Sequence, residues 1–338
     1  MNKFKFYFIV LMASVSLFSC TKDDPAAPVE PPRDYNVQYN TEIELIETYL
    51  KTNYIKVIDN PGGVDDQDVT IKKLEIGDVV NKSIWDQKKY QLLVRPVKVH
   101  NIEYKLYYLV LRAGIGVYPT NTDNILTSYK GEYLSSETIL GISSLKTTFF
   151  EEVKFPQTMK DLSGLDLLPQ GFDLIKGWKE IFPQFRTGTS TVNGNGTVSH
   201  FDFGAGVMFI PSGLAYYNTG SGGIPAYAPL VFSFKLYEIQ RLDHDSDGII
   251  DIDEDLDNDR YLPYFRELVK GTAITDDTDK DGNPDYLDSD DDGDNYTTKL
   301  EIRNPLTGSP YLFENIPSCD GNTSSPTRIK KYLDKNCH

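Results

Sequence analysis

Between Asp243 and Glu301 the chain carries 21 acidic residues against 5 basic ones. That surplus of 16 equals in size the net charge of the whole 338-residue protein, −16, so the remainder is neutral. Like charges at this density cannot be buried together unless opposite charge joins them. The segment therefore cannot build a conventional apolar core and must form solvated loops or wrap cations. Its spacing is regular. In "DHDSDGIIDIDE", acids stand at positions one, three, five, nine and twelve, with Gly at six: Asp243, Asp245, Asp247, Asp251 and Glu254 around Gly248. "DTDKDGNPDYLD" repeats the arrangement with Asp277, Asp279, Asp281, Asp285 and Asp288 around Gly282. A third copy starts at Asp288, with Asp290, Asp292 and Gly293, but its twelfth position is Lys299 and the next acid is Glu301. "DLDNDR", from Asp255, is a fragment.

The two full loops satisfy the EF-hand loop pattern, in which a hard calcium ion gathers six to eight oxygens from one turn. Flanking amphipathic helices are not evident. The chained form, where one Asp ends a loop and opens the next, resembles thrombospondin type-3 repeats. Ca2+ in a structural role is the expected cofactor, and a solvated acidic linker is the alternative. A random acidic run would not keep Gly at position six three times. Without the ion, like charges should repel and the segment should loosen. The acidity also argues against nucleic acid as a partner.

The N-terminus reads "MNKFKFYFIVLMASVSLFSC". Two Lys precede an apolar run from Phe6 to Phe18, too short to span a bilayer comfortably and laid out like a secretory signal. "LFSC" resembles a bacterial lipobox, which implies that residues 1–19 are removed and Cys20 is acylated; several acyl chains anchor stably where one does not. "TKDDPAAPVEPPRD" is polar and Pro-rich and reads as a tether over residues 20–39. Its Lys-Asp-Asp resembles surface-export signals of Bacteroidetes lipoproteins. The expected location is the outer membrane, on its periplasmic face or the cell surface. In an exported chain the other two cysteines, Cys319 and Cys337, suggest a disulfide closing the tail, with two free thiols as the alternative.

Between tether and acidic segment the chain is rich enough in Tyr and Phe, 22 and 17 overall, to bury a core. In "NTEIELIETYLKTNY", Thr41 and Glu44 form a capping-box pattern, and Ile43, Ile46 and Leu50 share a helical face. "KYQLLVRPVKV", "EYKLYYLVLRAG" and "NILTSYKGEYL" read as strands, and a short helix is expected near "LIKGWKEIF". The expected layout is a helix and strands over residues 40–103, a strand-rich domain over 104–240, the acidic repeats over 241–301 and a polar tail over 302–338.

Three pieces of the middle carry a more specific signal. "SYKGEYL" puts Tyr129 on a strand two residues before Gly131, "DLIKGWKEIFPQFRTG" puts Trp178 at a helix start, and "IPSGLAYYNTGSGGIPAYAPLVFSFKLYEI" closes the domain. In order, spacing and residue type they resemble the FKBP-type peptidyl-prolyl isomerase domain, over about Tyr104 to Gln240. With the lipobox and acidic repeats, the whole is similar to FKBP-type lipoproteins of Flavobacteria-like bacteria. The resemblance implies an α+β fold, a twisted antiparallel sheet wrapped on one short helix with an apolar pocket between them. It implies Trp178 as the pocket floor, with Leu174 and Ile175 just before it and the Ile175 backbone N–H offered to a substrate carbonyl. It implies Tyr129 as the strand aromatic, Tyr216 as a hydroxyl that bonds a substrate carbonyl, and Ile224 and Phe232 as apolar wall. Taken singly, each aromatic fits ordinary core packing as well.

Three departures stand out. The family commonly has Phe-Asp after the first strand, with the Asp touching ligand; the corresponding stretch here is "TILGISS", near Leu140 to Ile142, with no acid. Lys146 to Pro169, and "TSTVNGNGTVSHFDFG" after Gly188, are longer than expected. Tyr217 stands where the family keeps Gly. The expected function is isomerisation of Xaa-Pro bonds in Pro-containing or unfolded exported polypeptides by a monomeric, membrane-anchored lipoprotein. The alternatives are a non-catalytic chaperone of the same fold and a calcium-stiffened surface protein.

Overall fold

Helix α1 (Tyr35–Thr52) begins where Asp34 caps it, accepting from the backbone N–H groups of Asn36 and Val37 at 3.0 Å each. The capping-box expectation at Thr41 and Glu44 places this start too late. Asp34 already satisfies the orphan donors, and Thr41 Oγ1 donates within the helix to the Val37 carbonyl at 3.4 Å. The structure, a computed structural model, describes residues 31–139, 142–164, 174–264 and 274–337. The signal segment, Cys20, Leu140 and Gly141 lie outside the described residues, and Asp34–His338 forms one compact unit.

After α1 come β1 (Asn53–Val57) and β2 (Val69–Lys73), an antiparallel ribbon. The main sheet is built from β3 (Gln91–Val99), β4 (Ile102–Arg112), β5 (Asn124–Ile139), β6 (Ile142–Val153) and β7 (Lys160–Asp161). Helix α2 (Lys176–Ile181) and the hairpin β8 (Thr189–Val192) and β9 (Val198–Phe201) follow. Strands β10 (Gly204–Ile210) and β11 (Leu230–Gln240) then re-enter the sheet. Its order is β3-β4-β10-β11-β5-β6, with β7 on β5, and every pairing is antiparallel. The fold is thus α+β.

Both faces of the sheet are covered, which explains why the central strands read as near-continuous apolar runs rather than alternations. Met208, Ile210, Leu106, Tyr108, Phe232, Phe234 and Leu236 pack towards α2. Their alternating neighbours Val207, Phe209, Tyr107, Leu109 and Val231 pack with Ile46 and Leu50 of α1. The two longer segments have separate accounts. Of Lys146 to Pro169, residues 146–153 belong to the second arm of a long β5–β6 hairpin, 160–161 are β7 and 165–169 lie outside the described residues; residues 189–192 and 198–201 form β8 and β9.

The acidic segment has short 3-10 turns and one short helix, α3 (Thr298–Glu301). Gly248, Gly282 and Gly293, the sixth residues of the three loops, have φ of +108°, +101° and +68°. Such backbone is costly for other residues, which is why Gly recurs there. Ile249, Ile302, Ile316 and Tyr332 form a small core shared with the tail. Cys319 and Cys337 are joined by a disulfide, with a Cα–Cα distance of 5.4 Å.

Candidate functional site

Helix α2 packs on β3 and β10 and turns Trp178 towards β5 and β11, at the centre of an aromatic cluster. Tyr129 meets the Trp178 ring edge-on at 4.9 Å, and Phe232 meets it at 5.2 Å. Tyr129 and Phe232 are 6.0 Å apart, and Phe182 closes the far side at 5.1 Å from Trp178. Such edge-to-face contacts add roughly 0.5–1.5 kcal/mol each beyond area burial. Ile175 and Ile224 are buried in the same cluster, whereas Leu174 and Tyr216 are only partly buried at its margin. All seven residues singled out from the sequence therefore join one apolar cluster.

Gly131 is fixed by close approach: a Cβ there would come within 2.3 Å of the Phe150 ring and 2.9 Å of Phe232. Gly177 is similarly tight against Ile210, at 2.6 Å. The Trp178 Nε1 is buried and meets no acceptor among the described residues, a state packing alone does not explain.

A carboxylate that the spacing of the sequence does not single out, that of Glu151, stands beside Tyr129. Leu140 and Gly141, where the sequence offers no acid, lie outside the described residues, whereas Glu151 pairs directly with Gly131 and shares its face. A bulge beside Gly131 brings Phe150 onto Phe232 at 5.6 Å. Phe150 and Glu151 thus stand together beside Gly131, at the edge of the aromatic cluster. Burial first, and then the Glu151 charge, raise the phenol pKa of both Tyr129 and Tyr216. Both hydroxyls accordingly stay protonated, as donors, across the physiological range.

Tyr217 adopts the left-handed backbone its position requires, φ +41°. Its ring stacks at 4.0 Å on Tyr35 of α1, which in turn stacks at 3.7 Å on His100. The Tyr217 side chain is therefore engaged with α1 rather than with Trp178. Helix α1 also holds the approach to Tyr216. The buried Glu42 carboxylate accepts from the Ser212 N–H at 2.6 Å and from the Ser212 hydroxyl, and Gln38 donates to it at 2.6 Å.

A cavity of about 740 Å3 lies elsewhere, lined among others by Phe155, His200, Lys235 and Tyr237. Lys235 and Tyr237 alternate with Phe234 and Leu236, so it opens on the other face of the sheet. It shares no residue with the aromatic cluster.

The acidic segment gathers carboxylates differently from the loop-by-loop expectation. Asp245, Asp247 and Glu254 of the first loop come together with Asp291 of the third, which the sequence reading missed. Asp247, Glu254 and Asp291 are almost fully buried, and both oxygens of Glu254 and of Asp291 meet no hydrogen-bond donor among the described residues. Burial and mutual repulsion push Asp245 up to about 8, Asp291 to about 10 and Glu254 to about 12. Further groups are Asp255, Asp257 and Asp259; Asp277, Asp279 and Asp281; and Asp290, Asp292 and Asp294. Asp243 instead caps its own turn through Ser246 and Gly248, Asp251 engages His244, and Asp285 engages Thr278. Asp288 accepts from the Asp290 N–H. The only hint of Asp291 in the sequence is the extra acid between positions three and five of the third loop.

Residues 244–326 match the family model described as BamM C-terminal, a stretch that takes in most of the acidic loops and much of the tail. No curated protein sequence matches the chain. Among solved structures, a peptidyl-prolyl cis-trans isomerase from Pseudomonas syringae pv. tomato is 15% identical, covering 63% of this chain and 99% of that one, with a TM-score of 0.32. FkpA from Escherichia coli is 23% identical over 40% of this chain and 48% of its own, with a TM-score of 0.23. AtFKBP13 is 20% identical over 40% and 93%, with a TM-score of 0.26. No helix among the described residues is long and apolar enough to cross a membrane.

Proposed function

We propose that the chain is an FKBP-type peptidyl-prolyl cis-trans isomerase, anchored to the outer membrane through an acylated Cys20 and acting on exported polypeptides. The observation that carries this reading is the convergence of Tyr129, Ile175, Trp178, Tyr216, Ile224 and Phe232 on one apolar cluster between sheet and helix. Rotation about an Xaa-Pro bond is slow because the amide is resonance-stabilised. A twisted amide has lost that resonance and is less polar, so an apolar, water-poor surface favours it over the planar ground state. Trp178, Ile224 and Phe232 supply that surface, and Tyr216 donates a hydrogen bond that orients the peptide. Glu151, on the inner face, takes the place of the family acid.

The same reading assigns Ca2+ to the acidic segment, with Asp245, Asp247, Glu254 and Asp291 as ligands of one ion. Buried carboxylate oxygens that meet no donor fit a hard cation, which would supply the opposite charge and tie the first loop to the third.

The test is cis–trans exchange of a short Xaa-Pro peptide with the wild type, Trp178→Ala and Tyr216→Phe. Acceleration by the wild type that both variants reduce supports the enzyme. A wild type that binds the peptide yet leaves the spontaneous rate unchanged supports the non-catalytic chaperone instead.

A further inference from the structure

We propose that cation binding in the acidic segment holds α2, and with it Trp178, in place, through Tyr261 and His244 as positioning residues. This rests on the calcium and pocket readings above and adds the link between them. Helix α2 has only six residues and no side-chain N-cap, too short to persist without tertiary anchors. Two of its anchors come from the acidic segment or through it.

At its C-terminal end, the Tyr261 hydroxyl donates to the Glu180 carbonyl at 2.5 Å and accepts from Gln184 Nε2 at 2.8 Å. It thereby satisfies one of the carbonyls that a helix end leaves open. Arg95 caps this joint, 3.7 Å above the Tyr261 ring and 2.6 Å from the Glu180 carboxylate. The Tyr261 backbone is held in turn by acids: its N–H donates to Asp259 at 2.7 Å, and that of Arg260 donates to Asp255 at 2.8 Å. Asp255 directly follows Glu254 of the buried cluster.

The second anchor runs through the first loop. His244, between Asp243 and Asp245, bonds Asp251 through Nδ1 at 2.6 Å and Ser163 Oγ through Nε2 at 3.1 Å. The Ser163 carbonyl accepts from Lys179 of α2 at 2.7 Å. Both chains of contact start beside Asp245, Asp247, Glu254 and Asp291 and end on the helix that carries Trp178. With a cation among them the four carboxylates attract a common centre. Without it they repel, the first and third loops separate, and both anchors lose their footing.

Hydrogen exchange in the full chain tests this over residues 174–187, with excess calcium and with a chelator, alongside calorimetry with calcium. The expected result is calcium-dependent protection of this stretch by about tenfold, the scale of one or two hydrogen bonds. In the double variant Ser163→Ala, Tyr261→Phe every carboxylate remains, so the calcium heat should persist while the protection difference disappears. Calcium heat with unchanged exchange in the wild type overturns the proposal, as does a protection difference that survives intact in the double variant. Absence of heat removes the calcium reading and this link with it. The readout needs no isomerisation, so an inactive enzyme with calcium-dependent protection leaves the link standing.

Discussion

Tyr216 and Glu151 carry the polar part of the proposed site, and they differ in how far the sequence exposes them. Tyr216 follows a short, characteristic run, and its environment agrees with the role: partly buried, its phenol raised by burial and by Glu151. Removing its hydroxyl by Tyr216→Phe should lower kcat/KM about fivefold to twentyfold, the scale of one hydrogen bond made in the transition state. Folding should be little affected. Glu151 is exposed, so Glu151→Gln should cost less than about threefold; steady-state kinetics on both variants checks the ranking. Glu151 was invisible to spacing because the β5–β6 hairpin inserts residues between it and Gly131. Only strand register, a non-local property, restores the pairing. Asp291 was hidden for the same reason, since its partners belong to another loop.

At the scale of elements, strands with strong apolar and aromatic content were legible, as was the short helix around Trp178. The start of α1 was not, because Asp34 caps the chain ahead of the Thr41/Glu44 pattern. What α1 does was also illegible, since its contacts with Ser212 and Tyr217 span the length of the domain. Replacing Glu42 with Leu should strand the Ser212 N–H and hydroxyl in a buried position and cost about 2–3 kcal/mol. Chemical denaturation measures this, with Ser212→Ala in the Glu42→Leu background recovering part of the loss. The β3–β4 turn adds a pH dependence. Burial first, and then Lys176, hold the His100 pKa below its ordinary 6.5. The unfolded chain therefore takes up the proton first, so His100's contribution is full above pH 6.5 and lost as pH falls through the lowered value. His100→Asn, suited to a turn with φ of +55° and +59°, should lose less stability between pH 7.5 and about 5.5 than the wild type does.

For the whole molecule, the surplus charge of one segment sets the conditions for stability. The neutral remainder builds the two-faced sheet, and the acidic loops share a core with the disulfide-closed tail through Ile249, Ile302, Ile316 and Tyr332. Chelation should lower the midpoint of thermal unfolding. At calcium one hundred times its Kd a single site contributes about 2.7 kcal/mol. Sodium chloride should recover part of the loss by screening; a midpoint indifferent to chelator would leave the segment a plain acidic linker. The central claim remains catalytic, and it is tested most directly by NMR exchange spectroscopy on a short Xaa-Pro peptide with a catalytic amount of the full chain. The account predicts cis–trans exchange well above the spontaneous rate and proportional to protein concentration. A rate equal to that of the free peptide, with the protein folded and calcium present, would contradict it.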